Sequence, residues 1–236
     1  QNYRSTKAIL DAAHAIISKN KQRSDKKLWT AAGDGKPVQI MQVNGERAEG
    51  EAIIRRVKTA VDLGARRYSE FAILYRTNAQ SRAIEESFIR YGIPYRIVGG
   101  VRFYDRKEIK DIMAYLRFLY QPNDRVSFER IVNVPVRGIG AKSIEYFYDW
   151  MHKNQFDLLH ALGRVNECLT VPAKARAGLA TLGDIVHSFR DQLDTVALPV
   201  LLDSLIKRLD YLNYLDDKTP QGEARQENVR ELMSVA

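Results

Sequence analysis

Residues 92–118 read GIPYRIVGGVRFYDRKEIKDIMAYLRF, and the texture of the chain changes inside this stretch. Pro94–Val98 (PYRIV) has the pattern of a strand, bounded by Gly92 and by Gly99-Gly100. From Arg106 the apolar residues fall at Ile109, Ile112, Met113, Leu116 and Leu119. That is the spacing of one helix face, and Pro122 follows its end. Asp105 with Glu108 three residues on has the form of a capping box at the helix start. A domain boundary is therefore expected near residue 104.

Upstream of this point helix and strand alternate. Ser5 can cap a helix to about Ser18, with Ile9, Ala12, Ala13, Ile16 and Ile17 on one face. Lys19–Gly35 is polar and basic and reads as a surface loop. Val38, Ile40, Met41 and Val43 mark a strand. A helix from about Arg47 carries Ile53, Ile54, Val57, Ala60 and Val61, and Gly64 stops it. Phe71–Tyr75 (FAILY) is a near-continuous apolar run, as expected of a strand covered on both faces. Thr77 or Asn78 can cap the next helix, which carries Ala83, Ile84, Phe88 and Ile89 and stops at Gly92. Strand–helix–strand–helix–strand predicts an α/β unit with a parallel sheet. Ligands of such sheets sit at the carboxyl ends of strands, which singles out Arg76, Thr77 and Asn78.

Downstream there is helical periodicity and almost no strand signal. Helices are predicted over about Arg106–Tyr120, Ser127–Asn133, Ala141–Lys153, Phe156–Leu162, Ala173–Leu193, Pro199–Leu209 and from Gly222 to the end. The fold class expected is thus α/β plus all-α, in two domains, 1–104 and 105–236.

Composition narrows the function. The chain has 236 residues, and its 45% hydrophobic content suffices for a core. No apolar run is long enough for a membrane span. One cysteine, Cys168, excludes an intramolecular disulfide and a multi-cysteine zinc site, and fits a reducing, cytoplasmic setting. The four histidines lack metal-ligand spacing and read as structural, and the Asp216-Asp217 pair as a solvated loop. Residues 1–150 hold 27 basic and 17 acidic side chains, whereas 151–236 hold 10 and 12. A polyanion partner, if there is one, is expected to meet the first 150 residues; the alternative is a solvated basic surface without function. The opening QNYRST, without Met, and a last helix without a stop signal suggest a segment of a larger protein.

The strongest local motif is Val134-Pro135-Val136-Arg137-Gly138-Ile139-Gly140-Ala141-Lys142, between two predicted helices. This is the helix-hairpin-helix pattern. The glycines permit a tight turn, Ile139 anchors it, and the second helix starts with unpaired N–H groups suited to a phosphate. Arg137 and Lys142 add charge. The pattern is either an ordinary Gly-rich turn between two helices or a DNA contact; as a DNA contact it would not read base edges, so binding should be independent of sequence.

QNYRST at 1–6, FAILYRTNAQSRAIEE at 71–86, the 92–118 stretch and VPVRGIG at 134–140 occur in order. Together they resemble the superfamily 1 DNA helicases of the UvrD/Rep/PcrA type, across essentially the whole chain. The resemblance implies that residues 1–104 are the N-terminal part of the RecA-like motor domain 2A. It implies that 105–236 are most of the helical domain 2B, which the family inserts into 2A. QNYRST matches helicase motif IV, so Tyr3 would stack on the adenine of ATP and Arg4 would reach its γ-phosphate. A planar guanidinium suits that task. Arg76, Thr77 and Asn78 match the segment that grips single-stranded DNA, and the Arg137–Lys142 hairpin matches the element on the duplex.

The function implied is ATP-dependent 3′–5′ translocation on single-stranded DNA and unwinding of duplex DNA, in the bacterial cytoplasm at the nucleoid. The cofactor implied is ATP with Mg2+. No G-x-x-x-x-G-K-S/T loop is present. The Mg2+ ligands, domains 1A and 1B and the rest of 2A are thus expected outside these residues, and these residues alone are expected not to hydrolyse ATP. Replication, repair or transcription proteins are possible partners. The competing readings are a non-catalytic duplex-binding module and a protein-interaction domain.

Overall fold

The computed structural model describes residues 1–21 and 27–234 and divides the chain into two compact units, 1–48 and 49–236. Arg23 and Lys26 of the basic stretch, and the last two residues of the chain, lie outside the described residues.

In the first unit, helix α1 (Lys7–Ile17) starts against the 29–35 segment. The N–H groups of Lys7 and Ala8 donate to the carbonyls of Gly33 (3.3 Å) and Asp34 (3.0 Å), and that of Asn2 donates to Trp29 (2.7 Å). Backbone carbonyls thus satisfy the first-turn donors for which a Ser5 cap is expected, and Thr6 at the N-cap makes no side-chain cap bond. Gly35 has φ +72°, and an added Cβ would fall 2.4 Å from Thr6 Oγ1, so only glycine fits there.

In the second unit, α2 (Gly45–Asp62) and α3 (Ser81–Arg90) approach closely at Gly50, whose added Cβ would meet Ser87 Oγ at 2.1 Å. They enclose a small core of Ile54, Phe88 and Ile93. The helix stop expected at Gly92 is present, with φ +64°.

The parallel sheet is not found. Among the described residues no strands pair, and the fold is helical. The segments 38–43, 71–75 and 94–98 carry no ladder. Leu74 and Val98 are 91% and 83% exposed, so FAILY is not covered on both faces. An apolar run favours extended backbone, as Phe71 shows (φ −108°, ψ 141°). A strand also needs a neighbour about 4.8 Å away, which a local pattern does not supply.

The helical half matches its periodicity closely. It comprises α4 (Lys107–Tyr120), α5 (Arg125–Ile131), α6 (Ala141–Lys153), α7 (Leu158–Gly163), α8 (Ala173–Arg190), α9 (Leu198–Arg208), α10 (Tyr211–Leu215) and α11 (Pro220–Met233). A large core runs from Phe103 to Leu232. At its centre α4 buries Ile109, Ile112, Tyr115, Phe118 and Leu119 and packs on α5, α8 and α11. Side chains set the starts: the Asp124 carboxylate accepts the N–H groups of Val126 (3.1 Å) and Ser127 (3.2 Å), and Thr219 accepts that of Gly222 (3.1 Å). Two readings change here. The capping box at Asp105 does not form, because Asp105 pairs with Lys110 Nζ at 2.8 Å and Arg106 takes the N-cap position. Helix α10 has no forecast counterpart; five residues are too short to show a period.

Candidate nucleic-acid and nucleotide contacts

The hairpin joins α5 to α6. Ile139 is buried, as expected of the anchor, and Gly138 takes φ +74°. The Asn133 side-chain oxygen accepts the N–H groups of Arg137 (2.7 Å) and Ile139 (3.2 Å), which fixes the curl of the turn. Arg137 lies inward rather than toward solvent. Its Nη1 donates to the carbonyls of Ile131 (2.9 Å), Val134 (3.1 Å) and Val132 (3.3 Å), and its Nη2 to Tyr115 Oη (2.5 Å). Tyr115 in turn donates to Val134 O (2.5 Å), and burial pushes its phenol up to about 12. The guanidinium therefore caps the last carbonyls of α5 and holds the hairpin from inside.

The outer face of the hairpin differs. The N–H groups of Gly138, Gly140 and Ala141 meet no acceptor among the described residues, and Gly140 at the α6 N-cap has no side-chain cap. Lys142 is exposed. Two residues absent from the motif reading complete the element. The stem of exposed Lys174 lies over Gly138, whose added Cβ would meet Lys174 Cε at 2.9 Å. Gly178 of α8 seats the hairpin backbone, since its added Cβ would fall 2.6 Å from Arg137 O. Neither was legible, because each lies some 40 residues along the chain from the turn it serves.

Residues 76–78 form a loop between the extended 71–75 segment and α3. The Gln80 side-chain oxygen accepts the N–H groups of Arg76 (2.8 Å) and Thr77 (3.2 Å). Arg76 and Asn78 are exposed and Thr77 half-buried, and none of the three side chains is hydrogen-bonded among the described residues. The helix cap expected from Thr77 or Asn78 is absent; Gln80 stands at the N-cap of α3. Beneath the loop, the carbonyl of Asn78 accepts Arg106 Nη2 at 3.0 Å.

In the first unit, Tyr3 is 86% exposed and Arg4 is exposed without an ion pair among the described residues. Asn2 organises both: its side-chain oxygen accepts the N–H groups of Arg4 (3.0 Å) and Ser5 (2.8 Å), so the Tyr3-Arg4 turn is held by backbone while its side chains project.

Cys168 is fully buried, which removes it from solvent as a nucleophile. His160 stacks on Phe156 (4.5 Å between centroids), and His152 lies 3.1 Å from Arg125. Among the described residues no His, Cys, Asp or Glu group could hold a metal ion. Trp29 is 58% exposed and Tyr68 borders a cleft of about 920 Å3 between segments 71–75 and 94–100. No helix among the described residues is long and apolar enough to cross a membrane.

The hairpin between α5 and α6, on an α-helical core, has the form of a helix-hairpin-helix element. The chain belongs to the family described as the UvrD-like helicase C-terminal domain, whose model matches residues 1–236. Its relatives include proteins named ATP-dependent DNA helicase PcrA. That of Bacillus subtilis strain 168 is 40% identical, that of Leuconostoc citreum 39% and that of Staphylococcus aureus strain COL 38%, each over all 236 residues. The chain spans 32% of the length of each of these relatives.

Proposed function

We propose that this chain is the part of an ATP-dependent 3′–5′ DNA helicase that contributes one side of the nucleotide site, a single-strand contact and a duplex contact. The observation that carries this reading is the hairpin. On its inner side Asn133 accepts the Arg137 and Ile139 N–H groups and Arg137 caps the Ile131, Val132 and Val134 carbonyls, while among the described residues the Gly138, Gly140 and Ala141 N–H groups meet no acceptor, near Lys142 and Lys174. Unpaired N–H groups at a helix start, with cations beside them, suit a DNA phosphate. Arg137 would contribute by shaping the turn, and Ile139 by anchoring it.

Two further surfaces fit the same function. Arg76, Thr77 and Asn78 would hold the single strand from the Gln80-braced loop. Tyr3 would stack on adenine and Arg4 would meet the γ-phosphate; an exposed ring beside an exposed guanidinium suits such a ligand. ATP with Mg2+ would supply the free energy of translocation, and the Mg2+ ligands would come from other parts of the enzyme. Domains 1A and 1B and the rest of 2A would be the partners of this chain.

The RecA-like sheet belongs to this proposal as well. Segments 71–75 and 94–98 would be two of its strands, and 105–236 the helical 2B domain. What supports this is the cleft beside both segments and a change of core between Ile93 and Phe103. Proteins of replication, repair or transcription would act on the assembled enzyme in the bacterial cytoplasm.

The test is Arg4→Ala in the enzyme that carries this chain. DNA-stimulated ATP turnover should fall by at least about a hundredfold, as on removal of a single transition-state charge donor. Nucleotide affinity should change much less. A normal kcat would remove the proposed role of Arg4.

A further inference from the structure

Three segments distant in sequence converge under the 76–78 loop: the start of α3, the 103–108 turn leading into α4, and the end of α11. Two arginines bind them together. Arg82 of α3 donates through Nε to Glu231 of α11 (2.6 Å) and through Nη1 to Glu86 (2.9 Å), which also accepts the Tyr104 hydroxyl (2.9 Å). Arg106 is only 7% exposed. Its Nη2 donates to the carbonyl of Asn78 (3.0 Å) and to Ser81 Oγ (2.8 Å), and its Nη1 to Asn228 Oδ1 on α11 (2.7 Å). Asn228 donates onward to Glu108 Oε1 (2.6 Å), and Ser81 to Glu85 Oε1 (2.8 Å), whose carboxylate accepts the Phe103 N–H. The Arg106 guanidinium also stacks over Phe103, 5.1 Å from the ring centroid.

A buried cation is costly unless hydrogen-bonded, and here it has no ion-pair partner among the described residues. Its compensation is a fork that satisfies a loop carbonyl, a hydroxyl and a carboxamide together. A lysine ammonium, a point charge without the planar fork, cannot span the same three acceptors. Arg106 therefore bridges the Asn78 carbonyl to Asn228 of α11.

We propose that Arg106 is a positioning residue: it ties the single-strand loop at Asn78 to Asn228 of α11, so that the helical domain sets the loop's grip on single-stranded DNA. This rests on the reading of residues 76–78 as a single-strand contact.

The test uses the complete helicase and measures the oligo-dT concentration that half-saturates its ATPase. Arg106→Lys should raise that concentration about tenfold, a change of ~1.4 kcal/mol, and should raise it more than it lowers kcat. In an Arg76→Ala background the same substitution should add little, because both act through one loop; independent effects would multiply. If Arg106→Lys does not fold, Asn228→Ala cuts the α11 tie and is judged by the same non-additivity. Full additivity with Arg76→Ala, or rescue of normal half-saturation by lysine, overturns the proposal while leaving the loop's role intact. No effect of Arg76→Ala alone overturns the loop reading and the proposal with it.

Discussion

Replacing Gly178 by alanine probes the seat of the hairpin. The added Cβ would lie 2.6 Å from the Arg137 carbonyl oxygen, 3.0 Å from Arg137 Cβ and 3.3 Å from Ile139 Cδ1. The first of these is backbone and cannot swing aside, so the hairpin must move away from α8. Overpacking of this kind costs ~1–3 kcal/mol. Alanine returns about 1 kcal/mol of helix propensity at a mid-helix position of α8. The net cost is then up to ~2 kcal/mol, or a fall in Tm of up to roughly 4–8 °C for a chain of this size. Displacement of the turn should also weaken binding of a short duplex about tenfold, or ~1.4 kcal/mol. Gly183→Ala is the matched control on the same helix: its Cβ would meet Leu162 O at 3.1 Å, away from the hairpin. It should lower stability without touching duplex affinity. Thermal melts followed by circular dichroism, with fluorescence anisotropy on a labelled duplex at low salt, read both quantities. A Gly178→Ala chain that melts at or above the parent temperature and binds duplex normally would refute the reasoning.

Other outcomes follow from the same geometry. Replacing Gly138 and Gly140 together should weaken duplex binding in the anisotropy assay, because Gly138 sits at φ +74° under Lys174 and both N–H groups face the proposed phosphate; unchanged affinity at low salt would remove the hairpin assignment. Alkaline pH should loosen the same element. The unfolded Tyr115 phenol ionises near its ordinary value of about 10, while the buried one holds its proton to about 12. Its contribution is therefore fully present below pH ~10 and is lost on going from ~10 to ~12, by at most roughly 1.4 kcal/mol per pH unit. Urea titrations across that range should show a shallower decline for Tyr115→Phe than for the parent; equal slopes would argue against the shift.

Much of the helical half was legible because its signals are local. Helix α6 starts and ends where Gly140 and the apolar spacing place it, and α4 follows its Ile109–Leu119 period to within one residue. The hairpin was legible for the same reason: Pro135 and two glycines punctuate the chain wherever it goes. A sheet depends on pairing between distant segments, which no local pattern supplies, and among the described residues 71–75 and 94–98 carry no ladder, with Leu74 and Val98 exposed. The direction of a charged side chain was also hidden. The sequence marks Arg137 as a cation, but the carbonyls left over at the end of α5 turn it inward. Arg106 and Asn228 are 122 positions apart, so no period or spacing announces their contact. Function at 76–78 was read from a strand end, whereas what shapes the loop is the Gln80 carboxamide and the Arg106 fork beneath it.

Phosphate contacts at the hairpin, as proposed, would make duplex binding depend on salt and not on sequence. The most direct measurement is duplex affinity against salt, repeated with duplexes of scrambled sequence. Contact with two or three phosphates predicts that log K falls linearly with log salt at a slope of about −2 to −3, with scrambled sequences superimposed. A flat salt dependence, or strong preference for one sequence, would contradict it.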